Sequence, residues 1–290
     1  LPGVDTREKK GYTVLSEELF MNETKTLALA GAGKLAEIIA QAYTDGLLPG
    51  YRVVGVMSRS KDKAELFADK INKASGNSLS SCAVCPGVKE LLNLRPDFIV
   101  EAASPSALKE LALPALENGS SIVALSIGAF ADESFYGQIT KAAKTHGTRV
   151  YIVSGAVGGF DVLRTVALMG TCSASIDTEK GPDSLKGTPV YEDALQTVKK
   201  KVFEGNAKEA IAFFPTKVNV AVASSLASVG PADMRVSVTS TPGFIGDDHR
   251  IEIRSDEVRA VIDVYSKTAK IAAWSVVNTL RNISSPIVFC

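Results

Sequence analysis

Gly31-Ala32-Gly33-Lys34-Leu35-Ala36 directly follows the apolar run at residues 26–30 (TLALA) and opens a stretch with helical apolar spacing. A G-x-G-x-x-A turn between a strand and a helix suits a dinucleotide pyrophosphate. Gly31 permits the tight turn, Gly33 lets the phosphates approach the backbone, and Ala36 allows close helix–strand contact. The free N–H groups where the helix begins, at Lys34 and Leu35, carry the positive end of the helix dipole toward the anion. Taken alone the pattern also fits a plain turn. Its strand–turn–helix setting is what selects the cofactor reading.

The next strand ends at Met57-Ser58-Arg59-Ser60. An acidic residue there would bond a ribose 2′-hydroxyl and repel a 2′-phosphate. This chain has none at that point. Arg59 has the forked donors that pair with a phosphate, and Ser58 and Ser60 add hydroxyls. NADP is the expected cofactor, with NAD possible. A solvent-facing arginine beside a loop is the plainer alternative.

The chain has 2 histidines. His146 sits where a helix ends, before Gly147, and a cation is favoured there on structural grounds alone. His249 follows Gly246-Asp247-Asp248 and opens a predicted strand. Its imidazole suits proton transfer near neutral pH, and a surface histidine at a strand start is the alternative. The segment Ser154-Gly155-Ala156-Val157-Gly158-Gly159-Phe160-Asp161 leaves the carboxyl end of a strand, where open α/β sheets bind ligands. It reads as a substrate loop, a hinge, or both. Cys82 and Cys85 form a lone CxxC without a second ligand pair, so no metal site is expected.

These groups need a scaffold. Strands are predicted at residues 26–30, 52–57, 82–84, 97–100, 122–125 and 149–153, with helices between them. That alternation gives βαβ units and a doubly wound, Rossmann-type parallel sheet over residues 25–154. After Ser154 the pattern changes. Segments 172–178, 234–240, 249–254 and 259–265 alternate with period two, as a mainly antiparallel sheet with one wet face does. Helices are predicted at 161–169, 207–213 and 218–228. Residues 155–264 therefore read as a second, α+β domain for substrate and dimerisation. Residues 265–290 read as a C-terminal helix returning to the first domain. Residues 1–24 are set apart as an extension or an expression remnant.

Composition narrows the function classes. Of 290 residues, 46% are hydrophobic and 22% charged, which fits a globular chain. Lys plus Arg and Asp plus Glu are both 32, so the basic excess of a nucleic-acid or anionic-membrane binder is missing. Lys199, Lys200 and Lys201 form the longest basic run and read as a solvated helix face. No apolar run approaches the roughly 18 residues of a membrane span. With 4 cysteines and no leader-like start, a cytoplasmic setting is expected.

Taken in order, the motifs resemble the L-aspartate dehydrogenase family, including its animal members. They are the GAGKLA turn, residues 97–104 (DFIVEAAS), 126–129 (SIGA), 154–161 (SGAVGGFD), 203–205 (FEG), 214–221 (FPTKVNVA) and 247–251 (DDHRI). The resemblance implies NAD(P)-dependent oxidation of L-aspartate to iminosuccinate, then oxaloacetate and ammonia, or the reverse reductive amination. It makes His249 the catalytic histidine. It places Ala156 and Asn219 near the nicotinamide, with Ala103 and Ser104 as further cofactor contacts. Ser154, Gly155 and Asp247 are the candidates for holding the substrate. For Asn219 a helix N-cap is the structural alternative.

Many family members carry Asn where this chain has Asp247, and the extra negative charge would repel a dicarboxylate. The competing readings are a reductase of another imine or carbonyl, and a non-catalytic NADP(H) sensor on the same fold. The expected partner is a small amino-acid or keto-acid substrate, with no nucleic acid and no membrane. The exposed face of the strands between residues 234 and 265 is expected to pair two subunits as a homodimer.

Overall fold

The computed structural model describes residues 24–75, 81–214 and 218–289. Apart from Thr24, the N-terminal segment set apart above lies outside the described residues. The first sheet is parallel and ordered β3-β2-β1-β4-β5-β6. Its strands are β1 (Lys25–Ala30), β2 (Tyr51–Met57), β3 (Ala83–Cys85), β4 (Phe98–Glu101), β5 (Ser121–Ala124) and β6 (Val150–Ile152). Helices α1 (Lys34–Thr44), α2 (Lys61–Ser75), α3 (Val88–Asn93), α4 (Pro105–Glu117) and α5 (Glu133–His146) connect them. Leu27, Ala28, Leu29 and Ala30 of β1 are all buried, as expected of a strand covered on both faces.

Local chemistry sets the helix ends. Ser104 caps α4 by accepting from Ala107 N at 3.2 Å, with Pro105 in the first turn. Asp132 caps α5 through Phe135 N at 3.1 Å, and Gly147 closes that helix in the left-handed region at φ 66°. His146 is exposed beside it.

The second sheet runs β11-β10-β7-β9-β8. Its strands are β7 (Ser173–Lys180), β8 (Lys200–Asn206), β9 (Arg235–Ser240), β10 (Asp247–Arg254) and β11 (Arg259–Ser266). Every neighbour pair is antiparallel except β7 with β9. Helices α6 (Phe160–Leu168), α7 (Ala207–Phe213) and α8 (Asn219–Leu226) accompany it. Leu163, Ala210, Phe214, Ala221, Ile176, Val236 and Ile251 belong to one apolar cluster.

Strand β8 differs from expectation. Lys200 and Lys201 open it and Lys199 precedes it, so the basic run is not on a helix. Each lysine pairs with a glutamate: Lys199 with Glu179, Lys200 with Glu192, and Lys201 with Glu204. Charged lysines on an exposed edge strand also discourage further strand pairing.

Helix α9 (Lys270–Ser284) packs on the first domain. Ala273, Val276, Val277 and Leu280 are buried at helical spacing in the core that holds β1. Tyr51 donates its hydroxyl to Leu280 O at 2.7 Å, and Arg281 Nη1 donates to Leu47 O at 2.9 Å. Among the described residues no helix is long and apolar enough to cross a membrane.

Candidate active site

Strands β1 and β4 are neighbours, so the chain winds in opposite directions on either side of them. Ligands bind beyond the carboxyl ends of the strands at such a switch point. An open cleft of about 420 Å³ lies there, lined in part by Gly31, Gly33, Ser58, Arg59, Ser60, Ala103 and Ser104. Gly31 has φ 121°, and a Cβ on it would stand 2.6 Å from Ala102 O. Only glycine fits. A Cβ on Gly33 would meet nothing within 4 Å and would project into space that a phosphate can use. Gly33 is the N-cap of α1 and gives it no side-chain cap. The N–H groups of the first turn, Lys34 and Leu35 among them, therefore have no cap from it. The side chains of these two residues do not line the cleft: Lys34 is exposed and Leu35 packs on the core.

Arg59 is exposed at the mouth of the cleft with Ser58 and Ser60 half-buried beside it, and Lys63 adds a second cation. These residues fit a nucleotide with an extra phosphate by charge and by open backbone.

One buried carboxylate fixes the floor. Glu101 ends β4 with no exposure. Its Oε1 accepts from Ala103 N (2.8 Å), Ser104 N (3.0 Å) and Ser126 Oγ (2.9 Å), and its Oε2 from Ser126 N (3.1 Å). Burial raises its pKa above the usual carboxylate range, while these four donors oppose the shift. Glu101 thus ties the cleft-lining segment to the loop after β5.

A second constellation lies on the inner face of the other sheet. β10 alternates, turning His249, Ile251 and Ile253 inward. His249 is 3% exposed, so it is not the surface histidine of the alternative reading. Its Nδ1 lies 3.0 Å from Thr178 Oγ1, its register partner on β7. Burial first, and the Lys180 charge second, push its pKa from 6.5 down to about 4, with Asp247 opposing them. Asp247 pairs with Lys180 at 3.0 Å. That contact brings the charges together without hydrogen-bond geometry, so Asp247 Oδ1 remains a buried acceptor with no hydrogen bond.

The loop after β6 and helix α8 approach this corner. Gly155 N donates to Ser275 Oγ on α9 at 3.1 Å, and Ser154 O accepts from Val157 N at 3.2 Å. Ala156, between them, is half-buried. A Cβ on Gly155 would lie 3.8 Å from Val220 Cγ1, and Val220 lines a small cavity with Thr178 and Lys180. Asn219 opens α8, but its side chain does not cap it. Asn219 Oδ1 instead accepts from Gly128 N at 2.8 Å, in the 3₁₀ turn after β5. The N-cap alternative is thereby replaced by an inter-element bond that leaves the amide NH₂ for a ligand.

Both domains match known protein families. The homoserine dehydrogenase NAD-binding domain matches residues 31–153, and the aspartate dehydrogenase C-terminal domain matches residues 161–283. An L-aspartate dehydrogenase of Methanocella arvoryzae is 31% identical over 274 residues, covering 90% of this chain and 97% of its own. The chain belongs to the L-aspartate dehydrogenase family. The Methanosarcina mazei L-aspartate dehydrogenase is 32% identical, covering 82% of this chain and 94% of its own. The crystal structure of aspartate dehydrogenase from Thermotoga maritima superposes with a TM-score of 0.70 at 25% identity, covering 92% of this chain and 99% of that one. As a member of this family the chain is an NAD(P)-dependent amino-acid dehydrogenase.

Within that family frame, three residues were not singled out from the sequence. Lys63 had only a faint signal, a cation in the first turn of a helix, where the dipole disfavours it. Glu101 hid in an apolar strand, and a carboxylate in such a run is itself the clue. Lys180 continues the inward series Ala174, Ile176, Thr178 of β7. Extending the period-two pattern by one step would have found it. Cys82 and Cys85 are free and buried, and burial pushes the Cys82 thiol up to about 12.

Proposed function

We propose that this enzyme oxidises L-aspartate with NADP⁺, in preference to NAD⁺, to iminosuccinate, which water converts to oxaloacetate and ammonia. The same groups serve the reverse reductive amination. When bound, the nicotinamide exchanges the hydride at the substrate α-carbon. The chain's own residues align that carbon and manage the protons. Gly31, Gly33 and the amides of Lys34 and Leu35 hold the pyrophosphate. Ser58, Arg59 and Ser60 hold the 2′-phosphate. Ala103 and Ser104 line the cleft floor, and Ala156 with the Asn219 amide addresses the nicotinamide end. Ser154, the Gly155 backbone and Asp247 hold the amino acid.

The observation that carries this reading is the His249 environment. A buried histidine whose pKa is pushed to about 4 is neutral at physiological pH, so one ring nitrogen keeps its lone pair as an acceptor. In the tautomer that donates Nδ1–H to Thr178 Oγ1, Nε2 keeps its lone pair for the water that attacks the imine carbon. The Asp247 charge is offset by Lys180, which answers the repulsion expected for a dicarboxylate.

We further infer a cytoplasmic homodimer. The support is the apolar exposure of Ile245 and Tyr265 near the edge strand β11. Light scattering at micromolar concentration tests it, and a monomer contradicts it. NADPH oxidation with oxaloacetate plus ammonium tests the chemistry. Oxidation with other keto acids only points to a reductase of another substrate. Tight NADPH binding with no turnover points to a sensor.

A further inference from the structure

The inner face of the second sheet changes character row by row. One row across β9, β7 and β10 is Val236, Ile176 and Ile251. The next is Val238, Thr178 and His249, and the third is Ser240, Lys180 and Asp247. Register partners point to the same side of a sheet, so an apolar core surface turns polar toward one end. Among the described residues Lys180 is the one Lys or Arg that is buried. Ser240 has no exposure, and its Oγ has no hydrogen-bond partner. Asp247 Oδ1, on the other side of Lys180, also lacks one. An ion pair whose lysine is buried adds little stability relative to apolar residues of similar size, so folding alone is a weak reason for the row. Buried polar atoms are normally hydrogen-bonded, and beside a buried cation a ligand can supply the missing partners.

We propose that Lys180 receives a carboxylate of the substrate, with Ser240 Oγ–H as a second donor. This rests on the reading above that the substrate is a dicarboxylic amino acid. The ammonium of Lys180 has three donors, and its contact with Asp247 leaves donors for a ligand. The pair is neutral overall. An arriving amino acid therefore finds a cation for its carboxylate and an anion for its ammonium. The small cavity lined by Lys180, Thr178, Val218 and Val220 has room for about one water, at about 10 Å³. The carboxylate therefore comes from the other side, where the Asp247 side chain is 33% exposed.

The test is steady-state reductive amination by wild type, Lys180→Met, Lys180→Arg and Ser240→Ala, with NADPH affinity measured alongside. Lys180→Met is expected to raise the oxaloacetate KM at least about thirtyfold, the scale of one lost charge-assisted hydrogen bond. NADPH affinity stays near wild type. Lys180→Arg recovers part of the loss, and Ser240→Ala raises KM about fivefold. A folded Lys180→Met enzyme with wild-type KM overturns the proposal while leaving the proposed function intact. If that variant does not fold, Lys180→Gln replaces it under the same criteria. A wild-type enzyme that never turns over oxaloacetate overturns both readings.

Discussion

Lys180 Nζ and Asp247 Oδ1 stand 3.0 Å apart across β7 and β10, one row beyond the Thr178–His249 pair. The two rows act on each other. The lysine charge reinforces burial in lowering the histidine pKa, and the aspartate opposes both. A strand pair that would otherwise be plain core thus carries a neutral imidazole, a cation and an anion on one face.

That arrangement sets a pH dependence. The unfolded chain's histidine titrates near 6.5, whereas His249 in the fold titrates near 4. Between those values the unfolded state binds more protons, so the contribution of His249 is complete above pH 6.5 and is lost as pH falls toward 4. The loss is on the order of 3 kcal/mol. Urea unfolding of wild type and His249→Gln at pH 7 and pH 4.5 measures it. The variant should lose less stability on acidification, and parallel losses contradict the burial argument.

The Arg59 guanidinium is expected to distinguish the two cofactors. Arg59→Ala should weaken NADPH binding by about tenfold to a hundredfold, the scale of a charge-assisted bond to phosphate, and leave NADH nearly unchanged. Fluorescence titration with each nucleotide reads the difference. Equal weakening of both places Arg59 outside the 2′-phosphate site.

Glu101 holds four donors, of which the Ser126 N–H and hydroxyl are buried while Ala103 N and Ser104 N border the open cleft. Glu101→Ala strands the two buried Ser126 donors and should cost about 2–4 kcal/mol. Glu101→Gln keeps a carbonyl for Ala103, Ser104 and the Ser126 hydroxyl but turns an NH₂ toward Ser126 N–H. The expected cost is about 1–3 kcal/mol. Denaturant midpoints rank the three proteins, and a Gln variant as unstable as Ala contradicts the assignment of donors.

Asn219 has two roles that one substitution separates. Asn219→Asp keeps an acceptor for Gly128 N but removes the amide donor. Its thermal midpoint should stay close to wild type while cofactor affinity falls about tenfold, the scale of one lost bond. Asn219→Ala should lower both. Unchanged affinity in the aspartate variant removes Asn219 from the cofactor site.

The first sheet was legible because parallel strands and their helices write long apolar runs at the two expected periods, as in β1 and α1. The GAGKLA turn was legible because Gly31 has a steric reason that no other residue satisfies. Strand β8 was not, since a lysine run on an edge strand has the composition of a solvated helix face. For Asn219 the sequence leaves a helix cap open beside the cofactor contact, because its actual partner, Gly128, lies 91 positions away. His249 was found by chemistry and resemblance, yet its burial and its partner Thr178 appear only once β7 and β10 are in register. Lys180 was missed for the same reason. Its position in the alternation of β7 is local, but its meaning depends on a strand some seventy residues later.

The most direct test of the central claim is single-cuvette kinetics. Purified enzyme is mixed with NADPH, oxaloacetate and ammonium at neutral pH, and absorbance of the reduced cofactor is followed for wild type and His249→Ala. The expected result is ammonium-dependent oxidation by wild type, at least about a hundredfold slower in the variant, with NADPH affinity near wild type in both. Equal rates in the two proteins, or no ammonium-dependent oxidation by wild type, would contradict it.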